Sequence, residues 1–214
     1  ARELAEQLWL MNQKLVESSP KLIGSHPGLC NLSGSYSWRD CYRPVLRRGI
    51  DLVNSGELQK IVLAVRESIL LKSSFDPLSI LSRLRKQQSG SCRFLWQRNK
   101  NDSFFGASPE RLLTVQKGKL RSDALAGTTH RDSAEEDLLR SDKNLREHEL
   151  VVSSISDQLI EQGLTPRRSR TPQLARHGHL LHLHTPITAD AKKILPLKLV
   201  EALHPTPAVA GLPR

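Results

Sequence analysis

A lysine near the start of an apolar segment is the first residue of this chain whose position suggests chemistry. Residues 58–71 are rich in leucine, isoleucine and valine, and Lys60 stands near their beginning. A strand here would be apolar on both faces after Lys60, which is typical of a strand covered on both sides. Loss of hydration would disfavour the ammonium and favour an amine that accepts a proton near neutral pH. Alternatively, the side chain extends from the strand end into water.

Glu147 begins a series of residues spaced by four along a predicted helix. The other members, Val151, Ile155 and Leu159, are apolar and form a stripe typical of a core-facing helix surface. A carboxylate on that stripe needs a cation, a metal ion or a hydrogen-bond donor. Alternatively, Glu147 lies beyond the core in the first turn and complements the helix dipole. Glu149 lies about 200° further round the helix and is expected to face solvent.

Glu110 and a segment of small residues are two further candidates. Glu110 follows Ser108 and Pro109 after an apolar stretch, so it could be an acid or could simply support the dipole of a turn. Residues 124–129 centre on Gly127, and small residues around a glycine let backbone amides approach an anion closely. On this stretch alone, an ordinary turn at a strand end is the favoured interpretation.

A histidine cluster raises the question of a metal site. Four of the eight histidines, His177, His179, His182 and His184, fall within eight residues. Alternation along a strand puts His182 and His184, the even-numbered residues, on one face. It puts His177 and His179, the odd-numbered residues, on the other. With no cysteine nearby in the sequence to complete a zinc site, we predict polar positions of an edge strand, with one or two facing a site.

Composition narrows the class of protein. The chain has 214 residues, 32 Lys+Arg against 22 Asp+Glu, a net charge of +10 and 4% aromatic residues. The charge suits a protein that handles small anions, whereas the few aromatics and the absence of long basic runs argue against a nucleic-acid role. No stretch approaches the roughly 20 apolar residues of a membrane helix. Three cysteines without CxxC spacing predict reduced thiols and a cytoplasmic protein, or a plastid one if a transit segment has been removed.

The elements that must position these residues mix helices with antiparallel hairpins, which predicts an α+β fold. Residues 19–37 and 167–173 are predicted loops, and we predict one domain over residues 1–214. The predicted helices cover 1–18, 42–54, 76–88, 133–164 with a break near Asp142, and 196–203. The predicted strands cover 58–71, 92–97, 103–107, 111–116, 120–125 and 179–184.

Five segments occur in an order that points to a family. They are GELQKIVLA (56–64), FGASPERL (105–112), DALAGT (123–128), SDK through EH to VV (141–152) and LHPTPAV (203–209). Together, from about Val53 to the end of the chain, they resemble the chorismate-binding enzymes, which include isochorismate, salicylate, anthranilate and aminodeoxychorismate synthases. The chain is most similar to the isochorismate synthases, because Ala126 stands where the aminodeoxychorismate branch has a nucleophilic lysine. The segment after the Glu-His pair also differs from that of the anthranilate branch.

The resemblance implies a reaction and a role for each candidate residue. Water would add at C2 of chorismate while the C4 hydroxyl leaves, giving isochorismate. Lys60 would be the general base, Glu110 the general acid, and Glu147 a ligand of Mg²⁺. The positions that the resemblance implies for substrate binding are Ala126, Gly127, Thr128 and His204.

The resemblance also implies partners and an incomplete domain. Chorismate would be the small-molecule substrate, with no nucleic acid, membrane or glutamine amidotransferase as partner. In the family, the loop matching residues 205–213 precedes further strands, a second acidic metal ligand and the basic residues that bind carboxylates. We therefore expect a partial domain, and whether it is active on its own stays open. A salicylate synthase, a non-catalytic fragment acting by association and a basic nucleic-acid binder, whose binding would weaken steeply with salt, stay open as alternatives.

Overall fold

The computed structural model describes residues 29–30, 38–64, 70–71, 74–192 and 194–213. The chain forms two compact units, one from Ala1–Ser33 and Glu67–Ser108 and the other from Gly34–Arg66 and Pro109–Arg214. Both combine helices with antiparallel strands, which confirms the α+β prediction. The helix predicted over 1–18 lies outside the described residues. Within the described part of the chain, no helix has both the length and the apolarity needed to cross a membrane.

In the part of the first unit that the structure describes, an antiparallel hairpin packs with one helix. The helix begins as predicted, because the Asp76 carboxylate accepts hydrogen bonds from the amides of Leu78 (3.1 Å) and Ser79 (3.0 Å). Such a cap pairs amides that the helix itself cannot satisfy. The elements of this unit are β1 (Leu29–Cys30), which pairs with β2 (Leu70–Leu71), helix α2 (Pro77–Gln87), and the hairpin strands β3 (Cys92–Asn99) and β4 (Asp102–Ser108).

The second unit holds a five-stranded antiparallel sheet. Its two long strands, β6 (Lys119–His130) and β9 (Leu180–Asp190), pair along nearly their whole length. The short strands are β5 (Thr114–Gln116), which pairs with β6, and β7 (Arg167–Arg168) and β8 (Gln173–His177), which both pair with β9. The helices are α1 (Trp38–Asn54), α3 (Glu135–Arg140), α4 (Asp142–Glu161), α5 (Pro196–Leu203) and α6 (Pro207–Ala210).

The core of this unit lies between α4 and one face of the sheet. The predicted stripe of α4, with Val151, Ile155 and Leu159, is buried and packs with every second residue of β6 and β9. The predicted break in the helical region is also present, because Ser141 separates α3 from α4 and its hydroxyl caps α4 at the Asn144 amide (3.3 Å). This packing fixes the side of α4 that faces the sheet.

Two neighbouring residues of α4 test how much this core contributes to stability. Leu159 is 0% exposed and Ile160 is 56% exposed. We expect Leu159→Ala to lower the free energy of unfolding by about 2–5 kcal/mol, because it removes buried methyl groups and leaves a cavity. The control, Ile160→Ala, should change it by about 0.5 kcal/mol. Urea denaturation followed by circular dichroism measures both, and equal losses would contradict this description of the core.

Two predicted strands differ from the structure. Of the strand predicted over 58–71, the described residues form an isolated bridge between Lys60 and Leu212 and, separately, β2. The bridge explains why: Leu212 accepts hydrogen bonds from the amides of Gln59 and Lys60 and donates one to Lys60 O, so pairing is local. The last strand was predicted over 179–184 and runs to Asp190, because β6 offers it a partner along that length.

Candidate active site

Lys60 is held beside the loop that ends the described chain. A Cβ at Gly211 would lie 2.5 Å from Lys60 O, and the φ of Gly211 is +85°, so glycine permits this close backbone approach. The Lys60 side chain is 9% exposed, and its Nζ lies 3.6 Å from Glu147 Oε1. Nζ also donates a hydrogen bond to Pro207 O at 2.8 Å. Lys60 therefore points into the protein rather than into water.

Glu110 lies in the same neighbourhood and is partly buried. Thr206 Oγ1 donates a long hydrogen bond of 3.5 Å to its Oε1. Burial raises the pKa of Glu110, although the Thr206 hydrogen bond and the charges on Lys60 and His204 act against this rise. A carboxyl group that keeps its proton to higher pH is suited to donating that proton. His204 itself is exposed, directly after α5.

Glu147 lies in the second turn of α4 and opens on a cavity of about 860 Å³. Its side chain is 35% exposed, and the cavity lining includes Lys60, Lys143 and Arg146. Glu149, predicted to face solvent, is 51% exposed and forms an ion pair with Arg168 at 2.6 Å. The cavity lining therefore combines three cations with two carboxylates, those of Glu147 and Glu149, and this excess of positive charge suits a small anionic ligand.

A bulge in β6 contains the predicted substrate-binding residues Ala126, Gly127 and Thr128. The pairing of β6 with β9 shifts register between Ala126 and Thr128, and the φ of Gly127 is +76°. A Cβ at Gly127 would lie 3.1 Å from Leu183 Cδ1 and 3.2 Å from Asn144 Cβ. Both the conformation and the close packing therefore require glycine. Thr128 Oγ1 is hydrogen-bonded to His182 Nδ1 at 2.8 Å.

A matched pair of glycine variants tests this bulge. Gly163 has a φ of +75°, but a Cβ there would meet nothing within 4 Å. We expect Gly163→Ala to cost about 1–2 kcal/mol of unfolding free energy from backbone strain alone. Gly127→Ala should cost about 1–3 kcal/mol more, because it also overpacks against α4 and β9. Thermal and urea unfolding measure the difference, and equal costs would show that the bulge has room to relax.

His148 is a buried residue of this region to which the sequence analysis gave no role. It is 2% exposed, its Nδ1 lies 3.2 Å from Ala126 O, and its Nε2 lies 2.8 Å from Thr185 Oγ1. Burial lowers the pKa of His148, although the hydrogen bond to Ala126 O opposes that effect. The helical spacing from His148 to Val151 and Val152 is the sequence signal that could have placed it toward the sheet.

The histidine cluster divides between two strands rather than one. His182 and His184 share a face of β9 as predicted, and His184 Nε2 lies 2.9 Å from Asp123 Oδ1. His177, however, belongs to β8, and its ring centroid lies 5.8 Å from that of His182. The prediction that His177 faces away from His182 was wrong, because a turn after His177 separates its strand from β9. Among the residues that the structure describes, no three His, Cys, Asp or Glu side chains could hold a metal ion together.

Asp123, the first residue of the DALAGT segment, is the centre of a polar cluster on the sheet. Burial raises the pKa of Asp123, but hydrogen bonds from His184 and Arg121 outweigh this effect, so the pKa is lowered overall. Arg111 adds an ion pair to the same carboxylate at 3.4 Å. The ionised Asp123 thus links the segment after Glu110 to β6 and β9.

The structure brings the candidate residues together in two groups. Lys60, Glu110 and Glu147 lie together near Thr206 and Pro207, as the contacts above show. Ala126, Gly127 and Thr128 lie on the sheet, where α4 and β9 hold them. Helix α4 contributes to both groups, through Glu147 to the first and through Asn144 and His148 to the second.

A larger cavity lies elsewhere in the second unit. Its volume is about 1010 Å³, and its lining contains none of the candidate residues above. The cations that line it are Arg111, Lys117, Lys119, Arg121 and Arg167. Although this cavity is the larger of the two, the smaller one is the candidate active site, because its lining contains both Lys60 and Glu147.

Comparison with known proteins identifies relatives of this chain. The isochorismate synthase MenF of Haemophilus influenzae is 32% identical over 213 residues, which cover 95% of this chain and 47% of that protein. A salicylate biosynthesis isochorismate synthase of Pseudomonas aeruginosa is 39% identical over 175 residues, 77% of this chain and 36% of that protein. The chain thus spans about half the length, or less, of these relatives.

Solved structures and the family profile agree with these relatives. The structure of MenF, the menaquinone-specific isochorismate synthase from Escherichia coli, has a TM-score of 0.79 and 26% identity, covering 95% of this chain and 50% of that one. The profile of the family described as chorismate binding enzyme matches residues 1–214. The chain therefore belongs to the chorismate-binding enzyme family.

Proposed function

We propose that this protein is an isochorismate synthase, which adds water at C2 of chorismate and releases the C4 hydroxyl. The observation that carries the proposal is the convergence of Lys60, Glu110 and Glu147, with Lys60 Nζ 3.6 Å from Glu147 and its charge acting on Glu110. Relatives with this activity in their names are about twice as long as the chain, so the activity is proposed for the protein as a whole.

Lys60 is proposed as the base that accepts a proton from the attacking water. Pro207 O accepts a hydrogen bond from the Lys60 amine, and the Glu147 carboxylate lies 3.6 Å from Nζ, so both acceptors orient the amine. Once deprotonated, an amine held in this way keeps its lone pair for the proton of water. As the water oxygen bonds to C2, the two conjugated ring double bonds shift and the bond from C4 to its hydroxyl breaks.

Glu110 is proposed as the acid that protonates the leaving hydroxyl. Burial raises the pKa of Glu110 and so favours its protonated form. That form carries the proton that the C4 oxygen needs in order to leave as water. One water is consumed and one is released, so the product is an isomer of the substrate. The step leaves Lys60 as an ammonium and Glu110 as a carboxylate, so proton exchange with solvent, which takes a proton from Lys60 and returns one to Glu110, resets the pair.

Glu147 is proposed as a ligand of Mg²⁺. The residues fit this ion in part: Glu147 offers one carboxylate beside a cavity and already faces the positive charge of Lys60. Magnesium typically takes one or two carboxylates together with waters and substrate oxygens. When bound, the ion would supply positive charge for the ring carboxylate of the substrate.

Ala126, Gly127, Thr128 and His204 are proposed as substrate-binding residues. The bulge at Gly127 leaves no side chain between the backbone and a ligand, and Thr128 adds a hydroxyl whose orientation His182 fixes. With Ala126 in the place of a nucleophilic lysine, we expect water rather than ammonia as the nucleophile. A glutamine amidotransferase subunit is therefore not expected.

The direct test is to incubate the whole protein with chorismate and Mg²⁺ and to identify the products by liquid chromatography with mass spectrometry. Isochorismate as the first product supports the proposal. Salicylate with pyruvate would identify a salicylate synthase instead, and an aminated product formed with ammonia would identify one of the ammonia-using branches. Intact chorismate, with a relative such as MenF active in parallel, would reject the proposal.

A further inference from the structure

Helix α4 presents two residues, one turn apart, to the bulge of β6. Asn144 contacts Gly127 so closely that a Cβ there would lie 3.2 Å from Asn144 Cβ and 3.3 Å from Asn144 O. His148 lies one turn further along, with its Nδ1 3.2 Å from Ala126 O. The bulge thus packs against the helix at Gly127 and is hydrogen-bonded to the helix at Ala126.

The partners of His148 determine how its ring is used. A carbonyl oxygen only accepts, so Nδ1 must carry the hydrogen and donate it to Ala126 O. Nε2 is then free to accept from the Thr185 hydroxyl at 2.8 Å. Both ring nitrogens are bonded while the residue is 2% exposed, so the ring orientation is fixed from two sides. An apolar side chain of similar size would remove this buried hydrogen bond to the Ala126 carbonyl, which is costly.

Neighbouring contacts connect this ring to both groups of candidate residues. Glu147 precedes His148 on α4, and its carboxylate is the one that lies 3.6 Å from Lys60 Nζ. On the other side, Ala126 precedes Gly127 and Thr128, whose hydroxyl is bonded to His182. A shift of the Ala126 carbonyl would therefore move the bulge relative to Glu147 on the helix.

We propose that His148 is a positioning residue, which sets the bulge of residues 126–128 relative to Glu147 through its hydrogen bond to the Ala126 carbonyl. This inference rests on the proposed function, because it assigns to His148 the alignment of the substrate-binding residues. His148 does not touch the reacting atoms. Its contribution is to bring the backbone that binds the substrate carboxylate to a fixed distance from the helix that carries Glu147.

Two amide variants separate this role from a merely structural one. The amide nitrogen of Asn in His148→Asn takes the place of Nδ1 and can still donate to Ala126 O, whereas His148→Gln reaches toward Thr185 instead. We expect His148→Gln to raise the KM for chorismate about tenfold, the loss expected for one buried hydrogen bond, and His148→Asn to raise it by roughly threefold at most. A structural role alone would lower the melting temperature of both variants without separating their KM values.

Amide hydrogen exchange gives a readout that does not depend on turnover. In the whole protein, the Gly127 and Thr128 amides should exchange faster in His148→Gln than in His148→Asn, whatever the substrate proves to be. Equal KM values in the two variants, or equal exchange at both amides, would overturn the positioning role. If the unmodified protein does not consume chorismate, the proposed function fails, while the exchange rates still decide whether His148 holds the bulge.

Discussion

Replacing Glu110 with glutamine is expected to lower kcat for chorismate by about 10²–10⁴-fold, the range typical of a lost general acid. Glutamine keeps the size of the side chain and can still bond to Thr206, which lies 3.5 Å from Glu110, but it has no proton to give to the leaving C4 hydroxyl. The matched control is Glu201→Gln on the exposed side of α5, which should leave kcat within about twofold of the unmodified protein, as surface changes usually do.

The pH dependence of the rate tests the same role of Glu110. Burial raises the pKa of Glu110, so the acid keeps its proton above the usual carboxyl range and loses it as the pH rises further. The rate should therefore fall on the alkaline side of that raised pKa, and this fall should disappear in Glu110→Gln. A kcat of the glutamine variant close to that of the unmodified protein would remove Glu110 from the mechanism.

Replacing Lys60 with methionine is expected to lower kcat by a similar factor, about 10²–10⁴-fold. Methionine fills most of the space of the buried side chain but cannot accept the proton of the attacking water. It also leaves the Pro207 carbonyl and the Glu147 carboxylate without the amine that now contacts both. We therefore expect a further loss of about 1–3 kcal/mol in the free energy of unfolding.

A control and a rescue separate the chemistry of Lys60 from its contribution to stability. Lys198→Met, at an exposed position of α5, removes a lysine of the same unit and should preserve kcat. Added ethylamine should restore part of the rate of Lys60→Ala, whose short side chain leaves room for the amine, by supplying the missing base, provided that the variant is folded by circular dichroism. A folded Lys60→Met with full activity would contradict the proposed base.

Local patterns predicted the helices well, because their signals are complete within a few residues. The Asp76-Pro77 start of α2, the apolar stripe of α4 and the Pro196 start of α5 all appear where the sequence places them. Each depends on a cap, a proline or a spacing of three to four residues, which no distant partner needs to complete. The break between α3 and α4 is of the same kind, since the Ser141 hydroxyl makes the new start.

Strand pairing was harder to predict, because it depends on residues far apart in the chain. Within residues 58–64, which the structure describes, the pairing of Lys60 with Leu212 forms an isolated bridge where a strand was predicted, and no periodicity in residues 58–71 signals it. Strand β8 was not predicted: the predicted loop ends at Gln173, no element was assigned to residues 174–178, and its partner β9 lies beyond a tight turn. His177 therefore lies in β8, outside the strand predicted over 179–184.

The candidate site shows the same division between local and distant information. Taken alone, Lys60, Glu110 and Glu147 each had an ordinary structural explanation, and the family resemblance was the reason to group them. The contact of Lys60 with Pro207 joins residues 147 positions apart, which spacing does not reveal. His148 was overlooked because its two hydrogen-bond partners, Ala126 and Thr185, lie on strands that are distant from it in the sequence.

The central claim, that water adds at C2 while the C4 hydroxyl leaves, is tested most directly by turnover in ¹⁸O-labelled water. The whole protein would be incubated with chorismate and Mg²⁺, and the position of the label in the product would be read by mass spectrometry and ¹³C NMR. The account predicts isochorismate with ¹⁸O in its C2 hydroxyl. Isochorismate without label at C2, formed by moving the substrate's own hydroxyl, would contradict the roles of Lys60 and Glu110.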